Sequence, residues 1–246
     1  ALVEALIQRM PEVSLRCAVP VTRVASGSAW TVTLQDGSSL NADALCLALP
    51  ADRAAALLES CARDLAQQLA AIPYESVATV NLGFRRAEIP QAPAGFGFVV
   101  PACEHRRLVG CTFASVKFPG RAPAGSVLLR AFIGGPLHRE LVDLDDADMT
   151  QVVREELRDL LGIQAKPFEV TVHRFPRAMP QYHVGHLARV AAIEATLRRY
   201  RGLYLTGNGF RGIGLPDCIH QAELAAERIL GSDPNRNTSA TAELGV

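Results

Sequence analysis

A chain of 246 residues that is 49% hydrophobic and 20% charged has ample apolar material for a packed core in one or two domains. Its 25 basic and 25 acidic residues cancel and form no basic stripe, which argues against nucleic acid or an anionic membrane surface as a partner. No apolar run reaches transmembrane length, no secretory leader is visible, and six cysteines without a C-x-x-C pattern favour a reduced, cytosolic protein.

The chain opens on Ala1, not Met, inside a helical pattern (Leu2, Leu6, Ile7, Met10) that Pro11 stops. Its start is therefore processed, or it is a piece of something longer. Alternating segments follow at Val13–Leu15, Val19–Val24 and Trp30–Leu34, and Asp36-Gly37 predicts a hairpin turn returning into Leu40. Ala44–Leu49 is apolar on both parities, as in a strand covered on both faces. Asp52–Ile72 reads as one long helix rich in alanine and leucine. From Pro73 the pattern turns strand-rich: Val77–Phe84, Phe98–Pro101, Leu108–Phe113, Val127–Ile133 and Phe168–Phe175. One helix interrupts them, over about Asp146 to Leu161 and opened by the acidic run Asp143–Asp148. Pro176 and Pro180 bracket a turn into a helix over Ala188–Tyr200. The residues after Gly231 read as a disordered tail. The sequence thus predicts an α/β (α+β) protein in which residues 1–72 and 187–231 form one domain, interrupted by a second at 73–186.

The densest signal lies between Gly202 and Leu230. A short apolar strand at Leu203–Thr206 runs into four glycines, Gly207, Gly209, Gly212 and Gly214, and then into Pro216 and Asp217, residues that start helices. Alanines at Ala222, Ala225 and Ala226 let that last helix sit close to what it covers. A strand, a loop without side chains and a helix amino end set backbone donors and a positive dipole against a ligand. Gly207, Gly209 and Gly212 spell a literal G-x-G-x-x-G. A dinucleotide fingerprint, however, needs a helix opening within the glycines, a second strand, and an acid about 20 positions on. Here the helix opens after Gly214, no second strand follows, and Glu227 falls in the same helix. The turn therefore faces another part of a cofactor, or is simply tight.

Elsewhere the chain lacks catalytic machinery. His183 and His186 have H-x-x-H spacing but no accompanying carboxylate or cysteine at a plausible offset, so they read as structural or cleft-lining and no metal is expected. No serine has a nucleophile-elbow context. Cys218, at the start of the last helix, reads as packing before reactivity. Lys117 and Arg121, flanking Phe118-Pro119, are surface charge or contacts to an acidic ligand. With no paired carboxylates and no activated nucleophile, no catalytic side chain is assigned, and an enzyme built on this chain would leave its chemistry to a cofactor.

Ala178-Met179-Pro180-Gln181-Tyr182-x-Val184-Gly185-His186, followed by Gly207-Asn208-x-x-x-Gly212-x-Gly214-x-Pro216-Asp217-Cys218-Ile219, closely resembles the C-terminal half of the oxygen-dependent protoporphyrinogen and coproporphyrinogen oxidases. These are FAD enzymes of haem biosynthesis within the amine-oxidase-like flavoproteins. The likeness runs from Ala1 to about Leu230 and includes Pro20-Val21-Thr22, Asp43 to Pro50, Gly95-Phe96-Gly97, Phe118-Pro119 and Phe132-Ile133-Gly134-Gly135.

The resemblance implies a Rossmann-like FAD-binding domain of the amine-oxidase type that lacks its N-terminal βαβ unit, with an inserted mixed-sheet substrate domain. Val21 would lie against the adenine end of FAD. Gly207, Asn208, Ile213, Gly214 and Leu215 would line the isoalloxazine and its phosphate side, and Phe175 would stand near the flavin where a Trp is usual. Phe98, Thr112 and Phe132 would face a porphyrinogen, Thr112 being more polar than the usual aliphatic residue. The implied reaction is stepwise removal of six electrons from protoporphyrinogen IX or coproporphyrinogen III, with dioxygen as acceptor. The partner implied is the N-terminal half of the same enzyme, with its G-x-G-x-x-G. A homodimer, and peripheral contact of this cytoplasmic protein with the inner membrane through that half, stay open. So do two other readings: a carotenoid desaturase or amine oxidase of the same fold, and a non-catalytic tetrapyrrole-binding remnant.

Overall fold

A computed structural model describes residues 2–10, 13–91 and 93–231. The elements run α1 (Leu2–Gln8), β1 (Val21–Ser26), β2 (Trp30–Leu34), β3 (Ser39–Ala42), β4 (Leu45–Leu47), α2 (Ala51–Leu58), α3 (Arg63–Ala70), β5 (Tyr74–Arg85), β6 (Gly97–Val99), β7 (Leu108–Phe113), α4 (Ala114–Lys117), β8 (Ser126–Gly134), α5 (Asp146–Leu161), β9 (Glu169–Pro180), α6 (His186–Leu197), β10 (Leu203–Leu205) and α7 (Leu215–Gly231). The chain divides into two units, one drawn from Ala1–Ile72 and Val184–Val246, the other Pro73–His183. The tail expected after Gly231 lies outside the described residues.

In the first unit β1, β2 and β3 form an antiparallel meander. Its turn follows from Asp36, whose Oδ1 accepts from the Ser38 N–H at 2.9 Å, and from Gly37 at φ +84°. The Trp30 indole N–H reaches the Arg201 carbonyl at 3.0 Å, tying the meander to the segment before β10. β10 pairs in parallel with β4, Leu203 opposite Leu45 and Leu205 opposite Leu47. The strand expected to be covered on both faces is only three residues long, and Cys46 within it is exposed among the described residues. Val13–Leu15 is not a strand.

The single helix expected over Asp52–Ile72 is two. α2 buries Ala51, Ala54, Ala55 and Leu58, and α3 buries Leu65, Ala66 and Leu69. Buried Ala62 keeps the apolar spacing running through the break, so periodicity cannot reveal it. At the break the backbone of Ala62 leaves the helical region, with φ −148° and ψ 59°.

The second unit is a five-stranded sheet in the order β6-β7-β8-β5-β9, all neighbours antiparallel. One face carries the core: Ala78, Val80, Leu82 and Phe84 of β5 and Val127, Leu129, Ala131 and Ile133 of β8 pack with Met149, Val153 and Leu157 of α5. α5 holds the expected bounds because both ends are capped. The Asp145 carboxylate accepts from the Asp148 N–H at 2.8 Å, and Gly162, at φ 67°, closes the other end. Buried Glu156 accepts from Arg106 Nη1 at 3.2 Å and Arg107 Nε at 3.4 Å, fastening the loop before β7 to this helix.

β9 corrects the expectation of a strand ending at Phe175. It continues through Pro176 to Pro180, with a register shift opposite Glu75–Val77 and Arg177 at φ 47°. Pro176 falls within that shift, between the Phe175 and Met179 pairs, on a strand at the sheet edge where proline is tolerated.

Candidate functional site

The glycine turn of the first unit begins where β10 ends. Thr206 donates its N–H to the Leu47 carbonyl at 3.2 Å. The backbone then passes through Gly207 at φ +127° and Gly212 at φ +115°, conformations closed to most residues with a side chain. α7 opens at Leu215, so Gly214 is the last residue before the helix and Asp217 lies in its first turn. The Asp217 carboxylate reaches back to accept from the Gly214 N–H at 3.2 Å, the returning half of a capping box. Asp217 is thus a start signal, as the sequence suggests, acting backwards.

Two side chains of α6 hold the middle of the turn. Buried His186 bonds through Nε2 to the Phe210 carbonyl at 2.8 Å. Glu194 grips Arg211 with both oxygens, Nε and Nη2 each at 2.8 Å. The Arg211 hydrogen bonds keep the Glu194 carboxyl below the ordinary carboxylate range. These anchors were not legible as such: they lie 24 and 17 residues from their partners, and no local pattern marks them.

Held in this way, the turn presents a definite chemistry. Ile213, Leu215 and Ile219 leave more than half their surface exposed around the amino end of α7. That end carries unsatisfied N–H groups and the positive pole of a 17-residue helix. Thr206 is buried at 7% exposure, and its hydroxyl has no hydrogen-bond partner among the described residues. Apolar surface beside backbone donors and an orphaned hydroxyl fits a flat heterocycle with a polar edge, such as an isoalloxazine. Of the residues expected at a cofactor, Gly207, Asn208, Ile213, Gly214 and Leu215 are gathered in this turn. Val21 opens β1 opposite Leu34, partly exposed.

In the second unit the sheet face away from α5 is open. Strand alternation and register place Thr171, Asn81, Arg130 and Thr112 in one row across β9, β5, β8 and β7, and His173, Thr79, Phe132 and Gly110 in the next, with Val99 of β6 beside Gly110. Phe175 stands on the same face opposite Val77. Thr112, Phe132 and Phe175 are therefore brought to one surface. Phe98 is not: it pairs with Cys111, points to the α5 side, and packs edge-on against Phe113 at 6.0 Å between ring centres. A one-residue change of parity flips a side chain to the other face, and Val99, 82% exposed, occupies the open side instead.

Burial pushes the Cys111 thiol up to about 12, which makes it an inert core residue. Among the described residues no group of three or more His, Cys, Asp or Glu converges as a metal site, and no helix is long and apolar enough to cross a membrane.

A family model described as flavin containing amine oxidoreductase matches residues 1–230. The coproporphyrinogen III oxidase of Bacillus subtilis (strain 168) is 34% identical over 231 residues, covering 93% of this chain and 49% of that protein. The protoporphyrinogen oxidase of Homo sapiens is 34% identical over 213 residues, covering 84% of this chain and 44% of its own length. A solved structure from Exiguobacterium sp. 255-15 superposes with a TM-score of 0.76 at 29% identity, over 93% of this chain and 51% of that one. Reduced UDP-galactopyranose mutase, at 12% identity and a TM-score of 0.70, shares the fold over 94% of this chain and 51% of its own. The chain spans about half the length of the curated relatives it matches.

Proposed function

The chain belongs to the flavin-containing amine oxidoreductases, and from that premise we propose that it supplies the flavin-facing turn and the substrate sheet of an FAD-dependent porphyrinogen oxidase of haem synthesis. The observation that carries this reading is the anchored turn 207–214, with its orphaned Thr206 hydroxyl and the amino end of α7. When bound, FAD is the two-electron acceptor of such a reaction. The chain's own groups hold and polarise. The first turn of α7 would stabilise negative charge on a bound flavin, and Gly207, Asn208, Ile213, Gly214 and Leu215 would line it. Val21 would meet the adenine end.

On the second unit, Thr112 and Phe132 of the open face meet the tetrapyrrole, with Val99 alongside. Phe98 supports this sheet from behind. Aromatisation drives the oxidation, so a strong base is not required of these residues. The partner in this reading is a polypeptide segment bearing the G-x-G-x-x-G that holds the FAD pyrophosphate, and the setting is the cytoplasm.

Oxygen uptake and porphyrin fluorescence with coproporphyrinogen III and protoporphyrinogen IX test the proposal. The chain is assayed alone and with the N-terminal half of the Bacillus subtilis relative. Turnover is expected only in the complemented sample. A complemented sample that oxidised an amine and neither porphyrinogen, or a chain that took a nicotinamide in its glycine turn, would overturn the reading.

A further inference from the structure

Charge on the open face of the second unit is unevenly settled. Elsewhere in the molecule Arg107, Arg139, Arg174 and Arg211 each pair with a carboxylate. Arg130 does not: in the middle of β8 it is exposed and held by a neutral group, its Nε donating to the Asn81 side-chain oxygen at 2.8 Å. Asn81 is itself fixed, its amide donating to the Thr171 carbonyl at 3.3 Å. The bond to Asn81 orients the guanidinium plane yet cancels none of its charge. Its two terminal amines take no protein acceptor among the described residues.

That planar pair of donors has the geometry of a carboxylate. Around it the face is built for a flat apolar body. Phe132 lies two residues along β8, and Gly110 sets bare backbone between Phe132 and Val99. Arg85 shares the face, opposite Ser126, with Glu169 of β9 opposite Gly83 in the row between Arg85 and Arg130.

We propose that Arg130, oriented by Asn81, binds a carboxylate side chain of an anionic tetrapyrrole lying on this face. The assignment rests on the porphyrinogen reading above and adds to it a selectivity for carboxylate-bearing tetrapyrroles over neutral ones. Arg130 makes the contact, and Asn81 positions it.

The probes are coproporphyrin III and its tetramethyl ester, which keeps the ring and loses the charges, both in the same mild detergent. Binding is read from porphyrin fluorescence for the unaltered chain and for Arg130→Leu, Arg130→Lys and Asn81→Ala. The unaltered chain should prefer the free acid. Arg130→Leu should weaken the acid about tenfold and leave the ester unchanged, the scale of one charge-assisted bidentate contact. Arg130→Lys and Asn81→Ala should each lose about threefold on the acid alone, since a charge without the fixed plane keeps part of the attraction. Retained ester binding reports that each variant is folded. Equal weakening of acid and ester, or no effect of Arg130→Leu on the acid, would overturn the assignment while leaving the porphyrinogen reading in place. Failure of the unaltered chain to bind either probe when the N-terminal half of the Bacillus subtilis relative is supplied would overturn that reading, and this one with it.

Discussion

A methyl group added at Gly212 would sit 2.6 Å from Cβ, Cγ and Oδ2 of Asp217, on a backbone whose φ is +115°. Two costs combine: the strain of that φ for an L side chain, and displacement of the carboxylate that accepts the Gly214 N–H. Gly212→Ala should therefore destabilise the first unit by about 2–4 kcal/mol. Gly207 shares the strained conformation at φ +127°, yet its added Cβ would meet only the Leu49 carbonyl oxygen at an ordinary 3.7 Å. Gly207→Ala should cost about 1–2 kcal/mol, from strain alone. Urea midpoints of the two variants, followed by circular dichroism, would order them. Equal costs at both positions would mean that the Asp217 contact contributes nothing.

Between elements, the contrast that matters is that of α5 with α7. α5 has four buried residues, Met149, Val153, Glu156 and Leu157, with caps at both ends. α7, one residue longer, buries Ala225 alone. Helices draw most of their stability from a packed face, so amide exchange in α7 should run roughly a hundredfold faster than in the core of α5. Hydrogen exchange read by mass spectrometry, peptide by peptide, measures this. Equal protection would show that α7 is held by more than its own buried surface.

The same pair shows what was legible beforehand. α5 could be read to its last residue, since Asp145 and Gly162 are local signals. The opening of α7 was legible for the same reason. The α2–α3 break was not, because its apolar spacing never changes phase. Nor was the run of β9 through Pro176, which an edge position permits and a sequence does not display. The glycine turn announced itself, while His186 and Glu194 took their roles only from the fold. Phe98 and Val99 lie on opposite faces, and without the register of β6 on β7 nothing in the sequence chooses which of them meets the open side.

For the chain as a whole, the question is which part of a dinucleotide it can hold. A G-x-G-x-x-G turn grips pyrophosphate when its helix opens within the glycines and a second parallel strand follows. Here α7 opens at Leu215, beyond all three glycines of the pattern, and among the described residues no strand follows it. β10 pairs with β4 alone among those residues. What the first unit offers is sized to a ring: orphan donors, a buried hydroxyl, exposed Ile213 and Leu215, and at a separate place on the chain one apolar contact from Val21. By itself, then, the chain should gain little from the phosphates and adenosine of FAD. Riboflavin and FAD should quench on titration with affinities within about tenfold of each other, both ~10 μM or weaker. A true phosphate turn would separate them by a hundredfold or more, since riboflavin has nothing for it to hold. A purified chain carrying stoichiometric FAD, or one ignoring riboflavin while binding FAD tightly, would show that residues 207–214 cradle phosphate after all, and the flavin ring would then have to be placed elsewhere.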